Sequence, residues 1–265
     1  MLASLTSWIY AVPAWLGFFI VVAVCVGIAC GGHVLVRRRF PSRDFIEYNE
    51  VAGFLFSVVG TIYAVLLAFL VIVVWEDFAQ AGQRAQSEVD AATDVWRLSR
   101  HLPAADAGRL RADLRAYSDA VIDEEWPAMR QGGSSARAQR LIIALIDDTA
   151  GIAASDLRQT TLQTTVLERV QRMADLRRRR IYDNQSGIPS VLWLGILVGA
   201  ATLIGFVYLF GMKDFTVQLL MTAAIALIIG VSFALILELD YPFRGDISVS
   251  PEGWLVLRDI IAHER

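Results

Sequence analysis

Four long apolar runs, none of which contains a charged residue, constrain this chain more than any motif in it. They cover residues 11–36, 51–75, 188–210 and 215–237, so each run holds at least 23 residues. A helix rises about 1.5 Å per residue and the hydrocarbon core of a bilayer is about 30 Å thick, so about 20 residues suffice to cross it. The sequence therefore predicts four membrane-spanning helices, with one pair on each side of a long insert.

The insert, residues 76–187, has the composition of a water-facing domain. It carries 16 of the 24 Lys and Arg residues and 17 of the 27 Asp and Glu residues, so it is nearly neutral. A nearly neutral segment has no general attraction for nucleic acid. The predicted fold class is all-α: a polytopic membrane protein. In chain order, its parts are a first membrane helix pair (residues 1–75), a soluble helical insert (76–187), a second membrane helix pair (188–240) and a C-terminal tail (241–265).

Helical spacing continues through the insert. No proline occurs between residues 42 and 102, and apolar or small residues recur at helical intervals beyond Trp75. The second span is therefore predicted to continue as one helix to about residue 101. Further helices are predicted at about 104–126 and 136–149, and a last one begins after Asp156, a suitable N-cap.

Small residues recur on every span, and the longest such stripe lies in the second span. Its members are Gly53, Ser57, Gly60, Ala64 and Ala68. Helices in lipid associate through close backbone approach, which small residues permit. The stripe is typical of packing inside one subunit, and the alternative is a symmetry axis where several copies of the helix crowd together.

The spans contain very little that can hold a charge or a proton. His33, near the end of the first run, is the one acidic or basic residue in them, and we interpret it as an interfacial residue. Proton-coupled transporters keep such groups near mid-membrane, so proton pumping is not expected. An ion path through these helices would be apolar and gated by wetting.

Catalytic and cofactor-binding patterns are absent from the sequence. It has no phosphate-binding loop, dinucleotide fingerprint, zincin motif or nucleophile elbow, and its three histidines show no metal spacing. Cys25 and Cys30 point about 140° apart on a helix and cannot pair, so we interpret them as packing residues. We expect no enzyme activity and no cofactor.

Three acidic features remain open to two interpretations each. Glu76 and Asp77 leave the second span, where they either cap it or form a charged ring at a pore mouth. The run 123–125 ends a predicted helix with acids that oppose its dipole, so arginines or a cation must compensate them. The proline-rich turn after the fourth span holds Asp240 and Asp246, which are weak candidates for metal ligands.

Several of these stretches resemble a known family. The turn Glu-Leu-Asp-Tyr-Pro-Phe-Arg-Gly-Asp at 238–246 resembles the acidic Pro-Phe-Gly turn that follows the last membrane helix of bestrophin anion channels. Residues 53–76, including Tyr-Ala-Val-Leu-Leu-Ala-Phe at 63–69, are similar to the bacterial bestrophin-like family of unknown function. So are Glu-Trp-Pro at 125–127 and Pro-Ser-Val-Leu-Trp at 189–193.

The resemblance implies an oligomeric, pentameric channel with the second span around the axis and a cytosolic helical domain. Bestrophin necks carry closely spaced aromatic and aliphatic gate residues. The aromatic candidates here, Phe54, Phe56, Tyr63 and Phe69, do not share one helix face, so the small stripe is the alternative axis-facing surface. The calcium clasp of animal bestrophins contains a run of acidic residues, which is reduced here to Asp240 and Asp246. We therefore do not expect calcium gating.

The leading hypothesis is a homo-oligomer in the bilayer of a bacterial inner membrane that conducts small inorganic ions passively, anions more than cations. An even number of spans places both termini and the insert on one side. Basic residues are too evenly distributed for the positive-inside rule to decide which, and the resemblance favours the cytoplasm. The alternative is a non-conducting scaffold or a MotA-like stator component whose insert recruits a partner, a likeness of layout only.

Overall fold

The computed structural model describes residues 10, 12–40, 49–212 and 214–263, and within these ranges the regular structure is helical throughout. Arg43 and Lys213, two of the basic residues in the short loops between the predicted spans, lie outside the described ranges. The helices are α1 (Ala14–Arg39), α2 (Asn49–Ser99), α3 (Ala104–Ala120), α4 (Trp126–Met129), α5 (Ala136–Ala150), α6 (Leu157–Gln185), α7 (Ser190–Tyr208), α8 (Phe215–Leu239) and α9 (Glu252–His263).

The helices predicted from the sequence are confirmed. Four helical segments are long and apolar enough to cross a membrane. The second span continues without a break as the 51-residue helix α2. Asp156 caps α6, because its side chain accepts a hydrogen bond from the backbone N–H of Gln159. Pro189 immediately precedes α7, where its fixed φ suits a helix start.

The chain divides into two compact units, and helix α2 contributes residues to both of them. The membrane unit comprises the described residues of 1–76 and 188–240, and the soluble unit those of 77–187 and 241–265. The sequence treated 241–265 as a separate tail. In the structure it contains α9, which buries Trp254, Leu257 and Ile261 in the core of the soluble unit.

Close contacts between small and large residues hold the membrane unit together. Helix α1 packs on α8, where a Cβ added to Gly230 would lie 3.1 Å from both the Cys25 Cβ and the Val22 Cα. A second core joins α2, α7 and α8. Its buried members are Tyr63, Leu67, Leu70, Val74, Ile196, Leu203, Ile229, Phe233 and Ile236. Small residues in the spans therefore serve helix packing inside one subunit, at Gly230 at least.

The soluble unit is a helical bundle with a continuous apolar core. The insert portion of α2 packs with α3, α5, α6 and α9, and Leu114, Tyr117 and Met173 are fully buried among them. Helix α3 continues into a π-helical turn, Val121–Glu125, which leads directly into α4. Such wide turns rotate the following side chains and often occur at functional sites.

Candidate functional site

The second span presents one buried face, and that face contacts the third span. Tyr63 is buried there, and its hydroxyl donates a hydrogen bond to the backbone carbonyl of Ile196 at 3.0 Å. Leu67, Leu70 and Val74 extend the same face along the helix. The phenol therefore finds a partner inside the protein, which a polar group in a bilayer requires.

Gly199 on α7 makes room for the Tyr63 ring. A Cβ built on Gly199 would lie 2.5 Å from two ring carbons of Tyr63, closer than any real contact of this kind. Where α2 begins and the chain leaves α7, the Asn49 side chain both donates to the Gly211 carbonyl (2.8 Å) and accepts from its N–H (2.9 Å). The second and third spans are thus fixed to each other within one subunit.

The residues predicted to lie at an oligomer axis divide into groups with different surroundings. The Tyr63 side chain is buried inside the subunit. Gly53 and Gly60 also contact the same subunit, because a Cβ added to them would lie 3.8 Å from Phe210 and 3.6 Å from Leu203, respectively. The remaining members are exposed: Ser57, Ala64, Ala68 and Phe69. The axis assignment stays a prediction, and the exposed positions are the most accessible to a neighbouring subunit or to a pore.

A further exposed face of α2 was only partly identified from the sequence. It consists of large apolar residues spaced three or four apart, and we call it the apolar ridge: Val51, Phe54, Val58, Ile62, Val65, Phe69 and Ile72. Sequence reasoning named Phe54 and Phe69 but missed Ile62 and Val65, because it searched for aromatic residues. The helical spacing of the whole set was the signal that identifies the ridge.

The two pore-mouth candidates are both exposed. Glu76 and Asp77 have no ion pair with any other residue in the described part of the chain. Trp75 immediately before them is 57% exposed, as expected of an aromatic residue at a membrane interface. Their role as a charge ring stays a prediction.

Asp240 and Asp246, the weak candidates for metal ligands, lie in different surroundings. In the membrane unit, Asp240 Oδ1 accepts a hydrogen bond of 2.6 Å from the Ile188 N–H, just before α7. In the soluble unit, Asp246 is exposed and follows Gly245, whose φ of +69° allows a tight turn. Among the described residues, no group of three or more His, Cys, Asp or Glu is arranged to hold a metal ion.

The acidic run 123–125 is compensated by arginines rather than left for a cation. Glu124 pairs with Arg137 at 2.8 Å, and this hydrogen bond, followed by one from Ser135, lowers the pKa of the Glu124 carboxyl. Asp123 lies 3.3 Å from Arg258 on α9. The first of the two interpretations of this run, arginine pairing, is therefore the one that the structure supports.

Glu125 belongs to a buried ionic network at the centre of the soluble unit. Arg180 donates to Glu88 (2.7 and 3.1 Å) and to Glu125 (2.9 Å), while Arg177 donates to Glu125 (2.5 and 3.1 Å). The Tyr117 hydroxyl adds a 2.7 Å hydrogen bond to Glu88. Two carboxylates thus meet two guanidinium groups, and the network carries no net charge.

The surroundings keep two members of this network, Arg180 and Tyr117, in their hydrogen-bonding forms. Burial opposes the charge on Arg180, but the carboxylates of Glu88 and Glu125 outweigh it and raise the pKa of the guanidinium. Burial, reinforced by the charge on Glu88, raises the pKa of Tyr117 well above its ordinary value, so the phenol remains a donor. The Arg180 guanidinium also lies 4.7 Å from the centre of the Trp126 ring, a cation–π contact.

His33, which the sequence led us to interpret as an interfacial residue, is enclosed by neighbouring helices. It is only 1% exposed and lies inside the membrane unit, where its Nδ1 is 2.8 Å from the Thr222 hydroxyl of α8. The rings of Tyr208 and Phe215 pack edge-on against it. The position of His33 near the end of an apolar run did not reveal that neighbouring helices cover the imidazole.

Comparison with known proteins agrees with this architecture. The bestrophin-like domain family matches residues 23–254, and no curated protein sequence matches the chain. A variant of a bacterial bestrophin homologue from Klebsiella pneumoniae superimposes with a TM-score of 0.66 at 14% identity, over 91% of this chain and 97% of that one. A second crystal structure of that homologue gives 0.64 at 15% identity, over 94% and 98%. A crystal structure described as a membrane protein gives 0.66 at 14% identity, over 91% and 96%.

Proposed function

The chain belongs to the bestrophin-like family, and from that premise we propose that it assembles as a homo-oligomer and conducts small inorganic ions passively, anions in preference to cations. The solved structures that share its fold include a bacterial bestrophin homologue, and the resemblance noted from the turn at 238–246 is to anion channels. A pentamer is the assembly that this resemblance favours.

The observation that carries the proposal is the apolar ridge of the second span. The opposite side of α2 is engaged by the third span through Tyr63, whereas the ridge is exposed along its whole length. A path through uncharged helices must be gated by wetting, for which a row of bulky apolar side chains around an axis is suited. We assign the ridge to the axis of the oligomer, with Ile62, Val65 and Phe69 at the constriction.

The small residues beside the ridge supply the contact between copies. Ser57, Ala64 and Ala68 are exposed and allow a neighbouring helix to approach closely. Gly53 and Gly60 border the third span and belong to packing within the subunit. This division accommodates both predicted axis surfaces, because the small stripe joins neighbouring helices while the ridge faces the ions.

Glu76 and Asp77, exposed after the second span, are assigned to the pore mouth. An acidic ring attracts cations, so neutralising both residues is expected to raise the ratio of chloride to potassium flux. We also propose the bacterial inner membrane as the location, with the insert and both termini in the cytoplasm. Labelling a single cysteine placed at exposed Arg179 from one side of sealed vesicles tests that orientation.

The primary test is chloride and potassium flux through the purified protein in liposomes, with the oligomer mass measured on the same sample. Flux that tracks the oligomer supports a channel and gives its selectivity. A homogeneous oligomer that passes neither ion, over a range of pH and calcium, contradicts the proposal. That result would favour the non-conducting scaffold or MotA-like stator, for which a stably co-purifying protein is the expected sign.

The ridge has a matched control elsewhere in the chain. Phe69 is 66% exposed on the second span and Phe19 is 63% exposed on the first. Phe69→Ser introduces a polar group at the proposed constriction and is expected to raise flux several-fold, because it lowers the barrier to wetting. Phe19→Ser removes the same ring from a lipid-facing helix. Equal flux in the two variants would remove the ridge from the axis.

The small stripe is tested by a bulky substitution at an exposed position. Gly60→Leu is a poor choice, because its Cβ would already lie 3.6 Å from Leu203 of the same subunit, so its effect would combine packing inside the subunit with assembly. Ala64→Leu avoids that collision and is expected to reduce the oligomer mass or abolish flux. Ala201→Leu on the exposed part of α7 is the control. An intact, conducting Ala64→Leu oligomer would exclude the stripe as a subunit contact.

A further inference from the structure

The end of the soluble unit that joins the spans contains an arginine whose charge no neighbouring acid neutralises. Arg244 lies in the turn after α8 and forms no ion pair with any acid in the described part of the chain, although Asp246 lies two residues away. Its side chain is half-buried. Because charges inside a protein are normally paired, an unpaired guanidinium held in the structure is a candidate for binding an anion.

Neutral contacts hold the Arg244 guanidinium in one place. Its Nη2 donates a hydrogen bond of 2.7 Å to the backbone carbonyl of Asn184, and the guanidinium carbon lies 3.9 Å from the centre of the Tyr241 ring. Gly132 leaves room for the group, since a Cβ added to this glycine would lie 2.9 Å from Nη2. The φ of Gly132, +78°, also favours glycine. The guanidinium is thus positioned before any ligand binds, which lowers the cost of ordering it.

One edge of the guanidinium remains open to a ligand. The Nε of Arg244 is buried and has no hydrogen-bond partner among the described residues. Its Nη1 likewise makes no hydrogen bond within the described part of the chain, but unlike Nε it is accessible from the surface. A guanidinium carries five N–H donors, and the described residues accept only the one from Nη2. An acceptor from outside the protein can therefore bind at Nη1.

This arginine is tied closely to the membrane by the course of the chain. The membrane unit ends at Asp240, four residues before Arg244, and begins again at Ile188, four residues after Asn184. Four residues of extended chain span at most about 14 Å. The headgroup layer outside the hydrocarbon core is about 5–7 Å thick on each side. A phosphate group in that layer is therefore within reach of the Arg244 side chain.

We propose that Arg244 binds a phosphate group at this end of the soluble unit, with Nη1 donating to the phosphate oxygens. Arginine suits this ligand, because its planar donors match the geometry of phosphate and its charge is permanent. Arg130, exposed and two residues before Gly132 in the same turn, adds a second positive charge. The phosphate belongs either to a lipid headgroup or to free phosphate in solution. No covalent bond forms or breaks, and the site does not depend on ion conduction.

Solid-state NMR of the full-length, unsubstituted protein tests the contact directly. Phe243–Arg244 is the only Phe-Arg pair in the sequence, so phenylalanine labelled with ¹³C at the carbonyl and arginine labelled with ¹³C and ¹⁵N together identify the Arg244 signals. In frozen bilayers we expect ³¹P to dephase the signal of the Arg244 guanidinium carbon. The expected carbon–phosphorus separation is about 4–5 Å, which corresponds to an N–H···O hydrogen bond of about 2.8 Å.

Two samples separate the sources of the phosphate. The first holds the protein in phosphatidylglycerol bilayers without free phosphate. The second holds it in galactolipid bilayers, which contain no phosphorus, with added inorganic phosphate. Dephasing in the first sample identifies a lipid headgroup, and dephasing in the second alone identifies free phosphate. The absence of dephasing at Arg244 in both samples would overturn the proposal.

A matched pair of substitutions measures how much Arg244 contributes. Arg244→Gln removes the charge, and Arg158→Gln removes an exposed arginine near the start of α6, 26 residues before Asn184. Thermal unfolding in detergent, at rising concentrations of the phosphate source that the NMR identifies, gives an apparent affinity for each variant. We expect Arg244→Gln to bind about tenfold more weakly than the wild type, because charge-assisted hydrogen bonds are lost, and Arg158→Gln to bind like the wild type. Equal affinities in the two variants would show that Arg244 does not bind the phosphate.

Discussion

The two units of this protein satisfy their buried polar side chains in opposite ways. In the membrane unit, Tyr63, Tyr208 and Gln218 are neutral donors, and each bonds a backbone carbonyl of a neighbouring or adjoining segment. In the soluble unit, fully charged groups are buried together, with Glu88 and Arg180 at the centre. In these examples the membrane unit pairs neutral donors with backbone acceptors, whereas the soluble unit pairs buried charges with each other.

The largest expected effect comes from breaking the charge balance of the soluble unit. Arg180→Met leaves Glu125 paired with Arg177 alone and Glu88 buried with no guanidinium partner, which we expect to destabilise the unit by about 3–5 kcal/mol. Hydrogen exchange of residues 77–187 in the full-length protein measures this loss. Arg179→Met is the matched control, because Arg179 is exposed on the same helix. Equal exchange in the two variants would mean that the network contributes little to stability.

Next in size is a steric test of the membrane unit. Gly199→Ala forces a methyl group against the Tyr63 ring, and we expect a loss of about 1–3 kcal/mol as the second and third spans separate. Gly195→Ala is the control on the same helix, since an added Cβ there meets nothing within 4 Å. Thermal unfolding in detergent compares the two variants. A Gly199→Ala protein as stable as Gly195→Ala would show that the glycine is not needed for this contact.

Much of this fold could be predicted from the sequence because its signals are periodic. Uncharged runs identify the spans, and the absence of proline identifies the long helix α2. Pairing was harder to predict. The run 177–180 contains four arginines, of which Arg177 and Arg180 are buried and the two between them exposed. Their spacing of three places both on one helix face, yet only the fold identifies Glu88, 92 residues away in sequence from Arg180, as the partner.

The candidate site shows the same division between local and long-range information. The helical spacing of the apolar ridge is local and can be read from residues 51–72. The position of Tyr63 against Gly199 is not, because it depends on how two spans distant in sequence come together. His33 illustrates the same limit, since the burial of its side chain depends on α7 and α8 rather than on its own helix.

A smaller effect is expected from removing one neutral hydrogen bond in the membrane unit. Tyr63→Phe keeps the ring packed on Gly199 but deletes the bond to the Ile196 carbonyl. Hydrogen bonds between membrane helices are worth about 0.6 kcal/mol on average, so we expect a loss of that order in the same thermal assay. A loss as large as that of Arg180→Met would contradict the contrast between the units, because neutral bonds would then matter as much as buried charges.

The smallest effect concerns a charge pair that the soluble unit does not balance. Burial, together with a hydrogen bond to Asp148, raises the pKa of Asp113 from 3.8 to about 6. The folded form therefore binds a proton more tightly than the unfolded chain does. The resulting stability is fully present below about pH 4 and is lost as the pH rises through about 6.

Asp113→Asn removes this pH dependence. We expect it to stabilise the soluble unit at pH 7 by about 1 kcal/mol or less, since the carboxyl is partly exposed and solvent screens it. At pH 4 the variant and the wild type should be nearly equal. Unfolding at both pH values measures the difference, and Asp147→Asn, an exposed neighbour with the same charge change, is the control. A stabilisation that is the same at pH 4 and pH 7 would show that the protonation of Asp113 is not its cause.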